Sequence, residues 1–261
     1  MKFKHYVITR FNLSNKWSED KLNNKVLDTN WLKNRYILFE NYCLPSMLSQ
    51  TNKNFEWFVY FDTDTSEEFI LKNKAITEKF KNFQPKYIDS YQEFEVNYIN
   101  EINKDAQFHN LDFVLTTRLD NDDALNMFFI EELQKTNLNG TKLLEFPTGL
   151  TLNINNNLEL REYNSRYNPF ISLLEKVDDK NDALGIYKRE HGNWKGFDTE
   201  IISDKPFWIQ VIHEKNLYNR AKGDLVLPGK LKNFKIEKPF LSFRYRLPII
   251  IKKIKKIIKS L

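Results

Sequence analysis

The segment FVLTTRLDNDDAL at residues 113–125 combines an apolar run with a dense group of acids. Its Val, Leu and Thr residues predict a buried strand, and Asp120, Asn121, Asp122 and Asp123 follow at the C-terminal end, where open α/β sheets bind ligands. Three carboxylates within four residues repel one another unless a cation lies among them, and Mg²⁺ or Mn²⁺ prefers such oxygen ligands. On the residues alone, the segment predicts either a divalent-metal site or an acidic loop that caps the next helix.

The elements that must position these acids follow an alternating pattern. Apolar runs and helix-like stretches alternate through the first half, which is typical of a parallel sheet covered by helices. The predicted strands are 5–13, 55–62, 86–89 and 112–119, and the predicted helices are 31–50, 66–80, 91–104 and 124–135. Pro45 is expected to kink or break the first helix. For the second half we predict a hairpin over 142–162, a short helix over 168–177 and a strand over 206–213. The whole pattern indicates an α/β fold with one domain over residues 1–243.

Charge and cysteine content limit the class of protein. The 261 residues include 40 Lys and Arg against 35 Asp and Glu, but seven of the bases and no acid lie in the last 18 residues. The first 243 residues therefore hold 33 bases against 35 acids, and no nucleic-acid partner is expected. Cys43 is the single cysteine, which agrees with a reducing compartment.

No apolar run reaches the roughly 18 residues of a spanning helix and the opening lacks a signal-peptide pattern, so we expect a cytoplasmic protein.

Four segments, taken in order, resemble a known enzyme family. TTRLDNDDAL is similar to the DxD segment of glycosyltransferases with the GT-A fold. HYVITRFNL, LPSMLSQTNKNFEWFVYFDTDT and PFWIQVIHEKN resemble segments of the rhamnosyl transferase family. The likeness covers roughly residues 5 to 220, and the ordered set is far more specific than a DxD motif alone. It implies a GT-A-like, Rossmann-type mixed sheet flanked by helices, and transfer of a sugar from a dTDP- or UDP-sugar to an oligosaccharide or glycolipid acceptor.

The resemblance also implies roles for individual residues. Asp120 and Asp122 would hold Mn²⁺ or Mg²⁺, and His213 lies where many such enzymes have a further metal ligand or a diphosphate contact. The residues implied to bind the donor are Thr9, Arg10, Asp62, Asp64, Arg118 and Asn121. Without the family, His213 is an ordinary strand-end histidine, Asp62 begins a turn, and Arg118 either holds a phosphate or pairs with an acid. A cation and an arginine beside a diphosphate would stabilise the charge that develops as the sugar leaves.

The segment GIYKREHGNWKGFDTE contains candidates for the general base that removes the proton of the acceptor hydroxyl. They are Glu190, His191, Asp198 and Glu200, and Asp123 is a further candidate. We favour Asp198, because Gly196 and Phe197 indicate a turn that presents it. Each of these residues has a structural interpretation as well, and the family name alone implies rhamnose as the sugar.

Two other functions compete with sugar transfer. The segment FVYFDTDTSEE resembles the DxDxT nucleophile motif of haloacid-dehalogenase-type phosphatases, in which Asp62 would attack phosphorus and Asp64 would act as acid and base. Thr65 stands where that motif has a small residue, and a whole βα unit precedes the supposed nucleophile, so we rank this function second. A non-catalytic sugar-nucleotide-binding protein would have the same metal and nucleotide contacts.

Residues 248–261, PIIIKKIKKIIKSL, predict a basic amphipathic helix. At about 100° per residue, all its isoleucines except Ile249 fall with Leu261 in an arc of roughly 120°, and the five lysines take the opposite side. Such a helix lies on an anionic membrane surface, and the alternative is a helix docked on the body or on a second subunit. We therefore expect residues 244–261 to form a membrane-surface region. They would hold a bacterial enzyme of surface-polysaccharide or lipid-linked oligosaccharide synthesis on the inner face of the cell membrane.

Overall fold

The computed structural model describes residues 1–13, 28–155, 158–178, 180–214, 220–237 and 249–251. The strands are β1 (Phe3–Arg10), β2 (Glu56–Asp62), β3 (Phe83–Ile88), β4 (Phe113–Arg118), β5 (Ala124–Leu125), β6 (Lys142–Glu145), β7 (Thr148–Asn153), β8 (Glu159–Asn164), β9 (Ser172–Lys176), β10 (Thr199–Ile201), β11 (Trp208–Ile212) and β12 (Asp224–Leu225). The helices are α1 (Thr29–Leu38), α2 (Leu44–Leu48), α3 (Glu67–Lys79), α4 (Tyr91–His109) and α5 (Phe129–Gln134). A π-helical turn covers Phe39–Cys43, and 3₁₀ turns cover Ile186–Lys188, His191–Trp194 and Pro228–Leu231.

The first sheet has the strand order β10-β6-β9-β4-β1-β2-β3. β1 to β4 are mutually parallel, whereas β9 runs antiparallel to both β4 and β6. The part β3-β2-β1-β4 has the strand order of a mononucleotide-binding half, and its order reverses between β1 and β4. Ligands of open α/β sheets bind outside the carboxyl ends of the strands at such a reversal. The predicted α/β class with a mixed sheet flanked by helices is confirmed.

Both faces of the parallel part of the sheet are buried. Along β2, Trp57, Val59 and Phe61 face the side covered by α1 and α3, whereas Phe58 and Tyr60 face the side covered by α4. Successive side chains of a strand point to opposite faces, so a strand covered on both sides needs apolar residues at consecutive positions. This requirement explains the uninterrupted apolar run that predicted the strand.

The second sheet has the order β12-β8-β7-β11-β5. β7 and β8 form the antiparallel hairpin expected here, although Asn156 and Asn157 of its turn lie outside the described residues and β6 belongs to the first sheet. β5 starts directly after the acidic segment and pairs antiparallel with β11, with Ala124 opposite Ile209. Because the two strands are antiparallel, the acids that precede Ala124 lie beside the C-terminal end of β11.

Two predicted helices are wrong, because strand pairing determines the structure there. The segment predicted as a helix over 168–177 contains β9, which hydrogen-bonds β4 on one side and β6 on the other. The segment predicted as a helix over 124–135 begins with β5 and becomes helical only at α5. Long-range pairing of this kind overrides local propensity.

Pro45 does not break the helix that contains it. The N–H of Leu44 donates to the carbonyl of Phe39, five residues back, so a π turn widens the helix just before the proline. Pro45 then lies in the first turn of α2, where its missing N–H costs no intrahelical bond. The expected kink is replaced by a local change of helix type.

No helix among the described residues is long and apolar enough to cross a membrane. The basic helix predicted over residues 248–261 lies outside the described residues except for residues 249–251. Of its three described residues, Ile249 is buried, whereas Ile250 and Ile251 are exposed.

His5 is a buried histidine that crosslinks the sheet and α5. Its Nε2 lies 2.7 Å from Thr117 Oγ1, and the Nε2 of Gln134 lies 3.2 Å from its Nδ1. The side-chain amide of Gln134 is the donor in the second contact, so Nδ1 accepts and Nε2 carries the proton. Burial lowers the pKa of His5 from 6.5 to about 3. The folded protein therefore keeps this imidazole neutral.

We predict that His5 makes the fold acid-sensitive. Because the pKa is lowered on folding, the unfolded chain takes up a proton below about pH 6.5 and the folded chain does not, so stability falls as the pH drops from 6.5 toward 3. At pH 5 the loss is about 2 kcal/mol. Urea unfolding of His5→Gln at pH 7 and pH 5 should show a correspondingly smaller difference than the unsubstituted protein. His109→Gln, on the exposed end of α4, is the control, and an unchanged pH dependence in His5→Gln would contradict the prediction.

Candidate active site

Two arginines end neighbouring strands at the point where the strand order reverses. Arg10 ends β1 and Arg118 ends β4, and their guanidinium carbons lie 4.6 and 5.2 Å from the ring centroid of Tyr187. The Tyr187 hydroxyl donates to the carbonyl of Ile8 at 3.3 Å, which holds the ring against the strand. Burial raises the pKa of Tyr187 to about 12 against the opposing effect of both arginines, so the ring is neutral near pH 7. Cation–π contacts to one ring thus hold two positive charges in one crevice.

The ion pairs of Arg118 are long. Its nearest carboxylate contacts are 3.5 Å to Glu190 and 3.7 Å to Asp120, compared with about 2.7–2.9 Å for a charge-assisted hydrogen bond. Its buried Nε has no hydrogen-bond partner among the described residues. A buried donor without a partner is costly, since it has lost its water. Arg118 therefore retains donor capacity for an anion entering the crevice.

Asp122 is the most strongly paired acid of the DxD segment. Its Oδ2 accepts from Arg35 Nη1 at 2.7 Å and lies 2.8 Å from His213 Nε2. Burial alone would raise the pKa of the Asp122 carboxyl, but the Arg35 charge and the His213 contact outweigh burial and hold the pKa well below its usual range. The structure thus brings together two of the three predicted metal ligands, which are 91 residues apart in the chain.

Asp122 and His213 are compatible with ligation of one divalent cation. Two neighbouring ligands about 2.1 Å from an octahedral ion lie about 3 Å apart, close to the 2.8 Å between Oδ2 and Nε2. The third predicted ligand, Asp120, has a side chain that is 33% exposed and lies near Arg118. No cluster of three carboxylate, histidine or cysteine side chains surrounds a single point within the described ranges. The pair fits a metal, and Asp120 would have to join it.

Asn121 and Asp123 brace the loop between these ligands. Asn121 Nδ2 donates to the carbonyls of Arg10 and Phe11 at 3.1 and 2.9 Å, which ties the end of β4 to the end of β1. The Asn121 side-chain amide is therefore engaged with the backbone, and donor binding by Asn121 stays a prediction. Asp123 Oδ1 accepts from the N–H of Val211 at 2.8 Å, and burial with the nearby acids raises its pKa. Since Asp123 is buried, we also remove it from the candidates for the base.

Of the predicted bases, Glu190 contacts a crevice arginine, and His191 follows it directly in the chain. Glu190 contacts Arg118 as described, and His191 Nδ1 lies 2.7 Å from the carbonyl oxygen of Tyr167. A carbonyl only accepts, so Nδ1 carries the proton and the lone pair of neutral His191 is on Nε2. This is the tautomer that a base requires.

A buried glutamate supports His191. Glu145 ends β6 and is fully buried, and it accepts hydrogen bonds from the backbone N–H of Tyr167 and from Arg166 Nε. Tyr167 has a left-handed backbone conformation with φ of 51°, which is uncommon outside glycine. Glu145 therefore holds the turn whose carbonyl fixes the His191 tautomer.

Asp198, the base that the sequence favours, is wrongly placed for this role. It precedes β10, and the register across β10, β6, β9 and β4 puts it level with Leu115, five residues before Asp120. At about 3.3 Å per residue and 4.8 Å per strand, the two residues are on the order of 20 Å apart. β10 runs parallel to β4 and Asp198 precedes it, so the turn lies back along the sheet from the edge where Asp120 follows β4. Glu200 pairs there with Lys142.

The remaining predicted donor residues divide into two groups. Thr9 is fully buried and its Oγ1 accepts from Trp57 Nε1 at 2.9 Å, so it belongs to the core and not to a donor site. Asp62 ends β2 at the expected edge, but it is buried, and its Oδ1 accepts from the N–H of the exposed Asp64 at 2.9 Å. Donor binding by Asp62 and Asp64 stays a prediction.

The fold is that of an α/β protein in which two arginines lie at the point where the strand order reverses. Comparison with known proteins shows to which family it belongs. The family described as "Putative rhamnosyl transferase" matches residues 3–225, and the chain belongs to this family. The family description names a sugar transferase, so the phosphatase interpretation of Asp62 and Asp64 is withdrawn. Comparison with the curated proteins yields no match.

Solved structures with similarity include two of S. aureus TarS, residues 1–349. The crystal structure in complex with UDP has 16% identity and a TM-score of 0.40, with 81% of this chain and 61% of that chain covered. The second TarS structure has 15% identity and a TM-score of 0.38, with 81% and 60% covered. The chain thus spans about three fifths of the length of these proteins.

Arg35 and Glu145 contact residues of the site but belong to no motif of the sequence. Arg35 lies on α1, 86 residues before Asn121 and outside every motif. Its one local signal is Trp31 one helical turn earlier, whose ring centroid lies 4.9 Å from the guanidinium carbon. Which face of α1 meets the acids depends on the packing of the helix, so spacing along the chain could not reveal this contact.

Proposed function

We propose that this glycosyltransferase moves a sugar from a dTDP- or UDP-sugar to a hydroxyl of a surface-polysaccharide or lipid-linked oligosaccharide acceptor in a bacterium. The family description supports rhamnose as the sugar. The observation that carries the proposal is a pair of arginines at the point where the strand order reverses. Arg10 and Arg118 end the two strands on either side of this point and contact the same Tyr187 ring. Asp122 of the Asp122–His213 pair belongs to the loop that follows Arg118.

The crevice has the chemistry that a nucleotide diphosphate requires. Two guanidinium groups match the charge of two phosphates, and Arg118 has a buried Nε that no described residue satisfies. Arg10 is positioned by a hydrogen bond from its Nη1 to the Tyr91 hydroxyl at 3.1 Å. As the sugar leaves, the negative charge on the diphosphate grows, and fixed cations stabilise that charge more than they stabilise the ground state.

We propose Mn²⁺ or Mg²⁺ as the cofactor, held by Asp122, His213 and Asp120. When bound, this ion would add positive charge beside the leaving diphosphate. Asp123 and Asn121 would keep the ligand loop in register with β11 and β1 through their backbone contacts.

We propose His191 as the general base. The acceptor oxygen attacks the anomeric carbon, the bond from that carbon to the phosphate oxygen breaks, and the diphosphate leaves with the electron pair. The proton of the acceptor hydroxyl goes to His191 Nε2. The contact of Nδ1 with the Tyr167 carbonyl supports this assignment, because it stabilises the imidazolium that forms.

We also propose that the enzyme is cytoplasmic and peripheral on the inner face of the cell membrane. The support comes from the composition of residues 248–261 and from Ile250 and Ile251, which are exposed although they are apolar. A basic helix on anionic lipid would place the active site near lipid-linked acceptors.

Removal of either crevice arginine should weaken binding of nucleotide diphosphates. We expect Arg10→Met and Arg118→Met to lower the affinity for UDP or dTDP about 10- to 100-fold, because each loses charge-assisted hydrogen bonds. Affinity for the matching nucleoside should change little, since a nucleoside has no phosphate. Isothermal titration with Mn²⁺ present measures both, and Arg161→Met on β8 is the matched control. Unchanged affinity for both diphosphates would contradict the proposed donor site.

Substitution of the base should affect turnover and not donor binding. We expect His191→Ala to lower kcat for transfer or for slow donor hydrolysis about 10²- to 10⁴-fold, with nucleotide affinity unchanged. Asp198→Asn, in the turn before β10, should keep the kcat of the unsubstituted enzyme. A large loss in Asp198→Asn together with normal turnover in His191→Ala would reverse the assignment.

Membrane association should depend on the basic segment. We expect the full chain to sediment with vesicles that contain anionic phosphatidylglycerol, less so at high salt, and to stay in solution with purely zwitterionic vesicles. Deletion of residues 248–261 should abolish sedimentation. Equal sedimentation of the truncated and full chains would refute a role for this segment.

A further inference from the structure

We propose that Arg35 is a built-in competitor of the divalent cation, paired with Asp122 in the donor-free enzyme and displaced when the metal binds together with the nucleotide. This inference rests on the metal site of the proposed function. It adds an order to ligand binding: the metal alone binds poorly, and the metal with a diphosphate binds well.

The contacts of Arg35 place a positive charge directly on a metal ligand. Arg35 Nη1 lies 2.7 Å from Asp122 Oδ2 and 3.3 Å from Asn121 Oδ1, and the side chains of Arg35 and Asp122 are only 15% and 11% exposed. The Trp31 ring lies against the guanidinium and limits its conformations. A shielded ion pair of this kind is stronger than one on the open surface.

Competition follows from placing two positive charges on one carboxylate. Asp122 Oδ2 is contacted by both Arg35 Nη1 and His213 Nε2. A cation ligated by Asp122 and His213 would take the place of the His213 contact, and His213 can ligate it through Nε2 only without a proton there. The guanidinium of Arg35 would then share this shielded carboxylate with a divalent cation, and the repulsion between the two positive charges weakens the Arg35–Asp122 pair.

A nucleotide diphosphate would strengthen the metal binding that Arg35 weakens. It brings negative charge that attracts the metal, and it offers the displaced guanidinium an anion close to its former partner. Metal and nucleotide should therefore each increase the affinity for the other by the same factor, as linkage requires. Removal of Arg35 removes the competitor, so it should strengthen binding of metal alone and reduce this mutual factor.

The test is Mn²⁺ binding to the full chain, followed by the electron paramagnetic resonance signal of free Mn²⁺, with and without UDP or dTDP. We expect Arg35→Met to bind Mn²⁺ alone on the order of tenfold more tightly than the unsubstituted chain, and to gain less from the nucleotide. Arg35→Gln should behave alike and serves if Arg35→Met unfolds more readily in urea. Lys33→Met removes an exposed charge from the same helix and should leave Mn²⁺ affinity unchanged. Asp122→Asn should abolish tight binding.

The outcomes separate the two proposals. Equal or weaker Mn²⁺ affinity in both Arg35 variants, with normal nucleotide-dependent Mn²⁺ binding in the unsubstituted chain, would overturn the competition and leave the metal site in place. A lack of Mn²⁺ binding in every chain, with and without nucleotide, would overturn the metal site and the competition with it.

Discussion

The pairing of β5 with β11 is the constraint on which the site depends. β5 is two residues long, yet it starts immediately after the acidic segment and lies antiparallel to the strand that ends before His213. One residue before β5, the Asp123 carboxylate accepts a hydrogen bond from the Val211 N–H, so the chain stays attached to β11 beyond the paired residues. Together they bring Asp122 and His213 within hydrogen-bond distance, although the two residues belong to different halves of the chain. The site is therefore built where the two sheets meet.

Electrostatics then determines which neighbours these acids need. Asp122 and Asp123 are buried in one short loop, and each carboxylate of the loop contacts a different group. Asp122 has Arg35 and His213, Asp123 has the N–H of Val211, and the more exposed Asp120 lies at long range from Arg118. The cations of the crevice are in turn spaced by one neutral ring, Tyr187. Arg10 and Arg118, held by this ring, would need little rearrangement to contact an anion.

Most of the parallel half of the fold was predictable because β1, β2 and β4 are buried on both faces. The apolar runs of β2 and β4 are stable only when both faces of the strand are covered, and the helices between them form the crossover connections that parallel strands need. β9 was mistaken for a helix, because its five residues pair with β4 and β6, which are distant in sequence. Asp198 was misjudged for a related reason. A local turn was recognised correctly, but its position along the sheet depends on the direction of β10, which only the register reveals.

The sequence by itself determined the family, the α/β class and the edge of the sheet where the acids follow β4, because these depend on residue types and on spacing within single elements. The tertiary structure alone decided that Arg35 pairs with Asp122, that Tyr187 holds both arginines, and that His191 has its lone pair on Nε2. Each of these contacts joins residues from separate elements, and their distances depend on how helices and strands pack, which no local pattern encodes.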